Sequence, residues 1–254
     1  MILIVLNLIL EHAFNERILD ACLNANLQIR KYLNNIPQND LKLCSKLGYD
    51  KNQGYELDLK CEQIFIKYLS CFGQIFSEES GLIGKASPKQ MILDPLDGSS
   101  NFVSKIPFYG TSIALMEKDQ AKSAFVCNLV SQEIFAFNNK QAFKSNLSDP
   151  KYSPLTPNLF SKIGIVEKIS LYPELLDFLT KNQLKFRSLG ATALSLAYAS
   201  YFSFVLILGK TRIFDTAAAL AIHQNLYIEK NENFLLLSQD KKIFDIILEF
   251  LKNN

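Results

Sequence analysis

The sequence predicts an α/β fold of layered sheets and helices, on three observations. The first part of the chain repeats apolar residues every three or four positions. The middle carries short apolar runs bounded by turn residues. The last third alternates such runs with helical stretches. With 254 residues, 48% of them hydrophobic, the chain can bury a sizeable core as one large domain or two small lobes.

Taken in order, residues 1–10 (Met1 to Leu10) are almost wholly apolar. They lack a basic leading region and a small-residue cleavage site, and fall short of the ~20 residues a bilayer span needs. They read as the buried start of the first helix or as residues upstream of the true start. In 11–33, Phe14, Ile18, Cys22, Ala25, Ile29 and Leu33 keep helical spacing. Residues 36–54, with Pro37, Gly48 and Gly54, predict a loop or loose hairpin. A second helix is expected over 56–70 and a strand over 74–76. The apolar run 90–93 predicts a strand ending at Asp94. Residues 109–117 form another strand, and 122–137 a hairpin. The polar stretch 138–158, with Pro150, Pro154 and Pro157, is the expected boundary between an N-terminal lobe (about 1–150) and a C-terminal α/β lobe (about 160–254). Beyond it, strands at 162–166, 185–187, 203–208 and 234–237 alternate with helices at 171–182, 191–201, 215–224 and 240–252.

Composition removes several function classes. The net charge is +2, from 27 basic and 25 acidic residues scattered along the chain, which gives a nucleic-acid polymer no electrostatic footing. No stretch predicts a membrane span. Five cysteines, without CxxC spacing, fit reduced thiols in a cytoplasmic protein. Two histidines, His12 and His223, cannot make a three-His zinc site. A metal here must be held mainly by oxygen, which favours Mg²⁺ or Mn²⁺.

The segment from Asp94 to Asn101 stands out chemically. Pro95 pushes Asp94 into extended backbone, so Asp94 and Asp97 are expected on a turn at a strand end. Gly98 permits unusual backbone geometry. Ser99, Ser100 and Asn101 place small donors where a helix could begin, and backbone N–H groups at such a start bind phosphate. Glu78-Glu79 follows a strand, and Asp215 stands where an apolar pair gives way to a helix. Singly, each is ordinary: a turn, a solvated loop, a helix cap, and for Asp58 with Glu62 a polar helix face. If the fold gathers them, unit charges at 4 Å repel by about 4 kcal/mol at an effective dielectric of 20, and divalent cations would relieve that.

The run Asp94-Pro95-Leu96-Asp97-Gly98-Ser99-Ser100-Asn101-Phe102 closely resembles the signature of the inositol monophosphatase family, whose wider superfamily includes fructose-1,6-bisphosphatases and nucleotidases acting on phosphoadenosine phosphate. Ser77-Glu78-Glu79-Ser80 resembles its GEES segment. Phe214-Asp215-Thr216-Ala217-Ala218 is similar to its WDxAA segment, with Phe for Trp. Pro107 to Leu115 and Arg187-Ser188-Leu189-Gly190 resemble two further family segments. The resemblance implies a layered αβαβα sandwich of the sugar phosphatase type, with mixed and largely antiparallel sheets. It implies Glu78, Asp94, Asp97, Asp215 and the Leu96 carbonyl as ligands of two or three Mg²⁺ ions, with Mn²⁺ as a substitute. Asp58, Glu78 and Ser99 would be catalytic, with Asp58 and Ser99 acting on a metal-activated water that attacks phosphorus. Glu79 would lie behind the metal ligands or reach them through water. Gly98, Ser99, Ser100, Gly190 and Ala191 would hold the substrate. Lithium inhibition and a homodimer follow from the same resemblance.

The expected activity is hydrolysis of a small sugar or polyol phosphate, a small-molecule phosphate ester. Departures before Asp215, where Leu206 to Arg212 contains no carboxylate, keep a bisphosphate substrate open. Lys210 and Arg212 would either meet a second anionic group or sit in a solvated loop. A catalytically inactive binding or regulatory homologue is the rival from another class.

Overall fold

The computed structural model describes residues 2–49 and 51–253. Helix α1 runs Ile2–Leu33 and helix α2 Glu56–Leu69. Met1 and the side chains of residues 2–14, and with them the expected burial of this start, lie outside the described residues. In α2 the sequence logic is plain. Leu57, Cys61, Phe65 and Leu69, four apart, are buried, and Asp58 at the third helical position accepts the N–H of the capping residue Tyr55 at 2.7 Å.

Strands β1 (Gln74–Ser77), β2 (Gly81–Ile83), β3 (Lys89–Asp97), β4 (Gly110–Glu117), β5 (Gln120–Asn128), β6 (Glu133–Phe137), β7 (Ala142–Asn146) and β8 (Ser153–Pro154) build one sheet in the order β2-β1-β3-β4-β5-β6-β7-β8. Its neighbours are antiparallel except the parallel pair β1–β3, among the described residues. The short helix α3 (Ser99–Val103) follows β3. A second sheet, in the order β10-β9-β11-β13-β12, is formed by β9 (Ile163–Glu167), β10 (Lys185–Arg187), β11 (Phe204–Leu208), β12 (Tyr227–Lys230) and β13 (Phe234–Ser238). It is parallel across β10, β9 and β11 and antiparallel across β11, β13 and β12, so the antiparallel bias belongs to the first sheet. Helices α4 (Glu174–Lys181), α5 (Thr192–Ala197), α6 (Ile213–Ile222) and α7 (Lys241–Asn253) complete the fold.

Side chains alternate across each strand, so each sheet has two apolar faces to cover. Met91, Leu93, Ile113 and Phe125 face α1 and α2. Ile92, Ala114, Val126 and Phe135 face Leu194 of α5 and Phe214 and Ala218 of α6. The other side of that helical pair, Leu196 and Ala219, packs on Val205, Ile207, Leu235 and Leu237 of the second sheet. Val166, Leu206 and Leu236 then meet α4 and α7 through Leu175, Leu179, Phe244 and Ile247. The layers thus run α1/α2, first sheet, α5/α6, second sheet, α4/α7: the expected αβαβα sandwich.

Three expectations change. Residues 138–158 are not a bare connection, because β7 and β8 lie inside them and extend the first sheet. The helix expected over 191–201 is α5 followed by a separate 3₁₀ turn, Ala199–Tyr201. The strand expected to stop at Asp94 continues to Asp97, as the next section describes. All five cysteines are free thiols, and only Cys71 is exposed. No helix among the described residues is long and apolar enough to cross a membrane.

Candidate active site

Strand β3 carries two acidic residues past the point where a turn was expected. Asp94 is opposite Ser112 and Asp97 opposite Gly110, so Pro95 and Leu96 together face Thr111 alone. This is a β-bulge. Residues three apart would normally point to opposite faces, but the extra residue returns Asp97 to the side of Asp94.

Parallel pairing of β1 with β3 brings the next carboxylate in. Glu78 donates its N–H to the Leu93 carbonyl at 3.0 Å, which sets Glu78 beside Asp94. From the other side, Ser112 Oγ donates to the Phe214 carbonyl at 3.3 Å and ties the start of α6 to β4. Asp215 follows directly. Carboxylate oxygens of Glu78, Asp94 and Asp215 therefore lie within 4.8 Å of one another. Asp94 and Asp215 are buried, and burial raises the Asp94 carboxyl well above its ordinary range. The charges of Glu78, Asp97 and Asp215 push the same way, and Arg212 opposes them.

Asp97, on the same side, is held by another element. Its Oδ2 accepts the Leu194 N–H at 2.8 Å, at the first turn of α5. Burial and then the charge of Asp215 push its carboxyl up to about 7, against the pull of the Leu194 N–H, Arg212 and the Thr192 N–H.

Arg212, just before α6, is no solvated loop residue. Its Nε and Nη2 bond Asp215 Oδ2 and Oδ1 at 2.9 and 2.8 Å, a two-pronged pair, and its Nη1 bonds Glu78 Oε1. Although burial works against its charge, the bond to Asp215 and the fields of Asp215, Glu78 and Asp94 hold the guanidinium protonated.

Glu78, Asp94, Asp97 and Arg212 line a cleft of about 240 Å³, with Asp215 buried behind them, and Asp58, Glu79, Gly98, Ser99, Ser100 and Gly190 line it too. Gly98 has φ +80°, and a Cβ there would stand 3.0 Å from the Phe108 carbonyl oxygen, so the turn from β3 into α3 requires glycine. Ser99 and Ser100 open α3, whose leading N–H groups no helical carbonyl can use. Asp58 is buried, and burial lifts it to about 7 against hydrogen bonds from Tyr55 N–H and the Ser99 hydroxyl. Its Oδ1 has no hydrogen-bond partner among the described residues. Glu62, one turn on, is also buried and receives both Ser80 N–H and Ser80 Oγ. Asp58 and Glu62 are thus two inward carboxylates rather than a polar helix face. Glu79 approaches from the loop side: a Cβ on Gly54 would lie 2.9 Å from its Oε2.

The remaining predicted residues separate. Leu96 lines the cleft, and its N–H bonds Asp94 Oδ1 at 3.1 Å. Gly190 reaches the cleft, but its N–H is held by Glu167 at 3.1 Å. Ala191 is buried against Gly98, and Thr192 lines the cleft in its stead. Lys210 is not among the lining residues. Sequence reasoning missed Glu167, which closes an apolar strand and accepts Leu189 N–H, Gly190 N–H and Ser195 Oγ. A carboxylate ending an apolar run was the available signal.

The donor set Glu78, Asp94 and Asp215 is all oxygen, clustered and mutually repelling. It fits a hard divalent cation, and the cluster's own electrostatics favour one.

The five-layered αβαβα sandwich is an architecture that known structures share. An inositol monophosphatase from Thermotoga maritima superposes with a TM-score of 0.75, covering 92% of this chain and 98% of that one, at 19% identity. Residues 24–225 match the inositol monophosphatase family, and the chain belongs to it. Among curated relatives, a fructose-1,6-bisphosphatase of Pyrococcus furiosus is 30% identical over 150 residues, 56% of this chain and 54% of that protein. The Nus factor SuhB of Pasteurella multocida is 29% identical over 133 residues, half of each chain. The aligned stretch therefore spans about half the length of these two relatives.

Proposed function

We propose that the protein is a Mg²⁺-dependent phosphomonoesterase acting on a small sugar or polyol phosphate. The observation that carries this reading is the meeting of Glu78, Asp94 and Asp215 within 4.8 Å, at a cleft that Glu78 and Asp94 line together with Gly98, Ser99 and Ser100. Glu78, Asp94 and Asp215 would hold the metal, with Asp97 and the Leu96 carbonyl beside them and Glu79 behind. Two or three ions are expected, with Mn²⁺ as a substitute. Bound divalent ions would supply positive charge to the phosphate oxygens and lower the pKa of water.

The rest belongs to the chain itself. Ser99 and Ser100, with the leading N–H groups of α3, orient the phosphate. Asp58, near 7 and lining the cleft with Ser99, takes a proton from attacking water close to neutral pH. Displacement at phosphorus is in line, with no covalent phosphoenzyme. Gly190, fixed by Glu167, closes the cleft opposite. A single phosphatase domain, working in the cytoplasm as a lithium-sensitive homodimer on a small-molecule ester, completes the reading.

A second reading changes the substrate to fructose 1,6-bisphosphate or a nucleoside 3′,5′-bisphosphate. The fructose bisphosphatase relative and the position of Arg212 in the cleft favour it. A regulatory homologue without activity is favoured only by the SuhB relative. Hydrolysis assays of purified protein on inositol phosphates, sugar phosphates and nucleoside bisphosphates decide among these. Release of phosphate with Mg²⁺ and none with excess chelator is expected. A protein inert across the whole panel would end the enzyme reading.

A further inference from the structure

Arg212 occupies the same carboxylates that the proposed function gives to a divalent ion. Both oxygens of Asp215 and Oε1 of Glu78 accept bonds from its guanidinium. Asp94, the third member of the cluster, lies in its field. An ion and a guanidinium cannot use the same lone pairs at once, and their like charges repel. The guanidinium hangs on a long side chain that is one-third exposed, whereas Asp215 is 2% exposed and fixed at the start of α6. Between the two, the arginine is the more exposed partner on the longer side chain.

We infer that Arg212 is a built-in competitor for the metal: it neutralises Glu78 and Asp215 in the ion-free protein and must release them for a divalent ion to bind. It thereby sets how much metal the site needs. This rests on the proposed function, because it concerns the ion that reading places there. It goes beyond that reading in assigning to a residue of opposite charge the control of ion affinity. The alternative, a purely structural ion pair, would leave affinity unchanged or weaken it.

The test uses the full chain stripped with chelator, as wild type, Arg212→Gln and Arg212→Lys. Mn²⁺ binding is followed by the loss of the free-ion electron paramagnetic resonance signal, and melting is followed with and without Mg²⁺. Arg212→Gln should bind Mn²⁺ about tenfold more tightly, the scale on which neighbours of a metal ligand tune affinity. Its melting temperature should fall below wild type without metal and recover with Mg²⁺. Arg212→Lys keeps one charge but loses the two-pronged grip, so it should lie between. Should Arg212→Gln fail to fold without metal, Arg212→Lys still has to bind Mn²⁺ more tightly than wild type. Equal or weaker binding by the variants, with wild type binding normally, would overturn the competition. If wild type binds no Mn²⁺ at millimolar concentration, the metal site itself is lost and the inference with it.

Discussion

A lone buried carboxylate at a strand end of the second sheet and a cluster of three beside the first are satisfied in opposite ways. Glu167, at the end of β9, receives Leu189 N–H, Gly190 N–H and Ser195 Oγ, so neutral donors from the surrounding loop solvate its charge. Glu78, Asp94 and Asp215 crowd one another, and Glu78 and Asp215 bond the Arg212 guanidinium. The contrast shows what a carboxylate is for. One surrounded by fixed donors holds a loop in place. Several crowded together hold a deficit of positive charge that an ion can fill.

The sharpest way to break this comparison is Asp94→Asn. Turnover on any accepted phosphate ester should fall by at least ~10²–10³-fold, the scale of losing one preorganised electrostatic group in a site. The metal-free protein should melt no lower than wild type, because Asn keeps an acceptor for the Leu96 N–H and has no charge to bury. Glu167→Ala should do the reverse in stability. It strands three donors, two of them backbone, and should cost about 3 kcal/mol in denaturant unfolding. A stabilised Glu167→Ala, or a strongly destabilised Asp94→Asn, would erase the distinction.

Acidity offers a smaller effect. Asp58 rises to about 7 in the folded protein, against about 3.9 in an unfolded chain. Between those values the folded state holds a proton that the unfolded state has released. Stability of the metal-free protein should therefore fall as pH rises from about 4 to about 7. Melting at pH 5 should exceed melting at pH 8, and Asp58→Asn should flatten part of that slope. Asp97, displaced in the same direction, supplies another part. Smallest of all is Lys210→Ala, at a residue outside the cleft lining. KM for fructose 1,6-bisphosphate should change by less than about twofold, as for an ordinary surface substitution.

Much of the fold was legible because burial leaves a period. Leu57, Cys61, Phe65 and Leu69 mark α2, and the run before Asp94 marks β3. β12 escaped because it is an edge strand, with Tyr227 and Lys230 exposed and only half-buried residues between them. β7 escaped inside a polar stretch because only Phe143 of its five residues is buried. The candidate site was legible as a set of acids but not as a geometry. Extended backbone at Asp94 follows from Pro95, whereas the bulge that realigns Asp97 depends on pairing with β4, which no local pattern encodes. Arg212 was similarly opaque. The i, i+3 pair with Asp215 is visible in the sequence, but its reach to Glu78 exists only once β1 and α6 are neighbours.

Helix α6 carries Asp215 on its first turn and Ala219 one turn later, and Ala219 is pressed among Val205, Ile207, Leu235 and Leu237 of the far sheet. The rod that carries this carboxylate thus has its seating in an apolar core against the second sheet. Swapping volumes in that seating would tilt the rod and so change the spacing of the three carboxylates by remote carpentry, leaving every acidic side chain untouched.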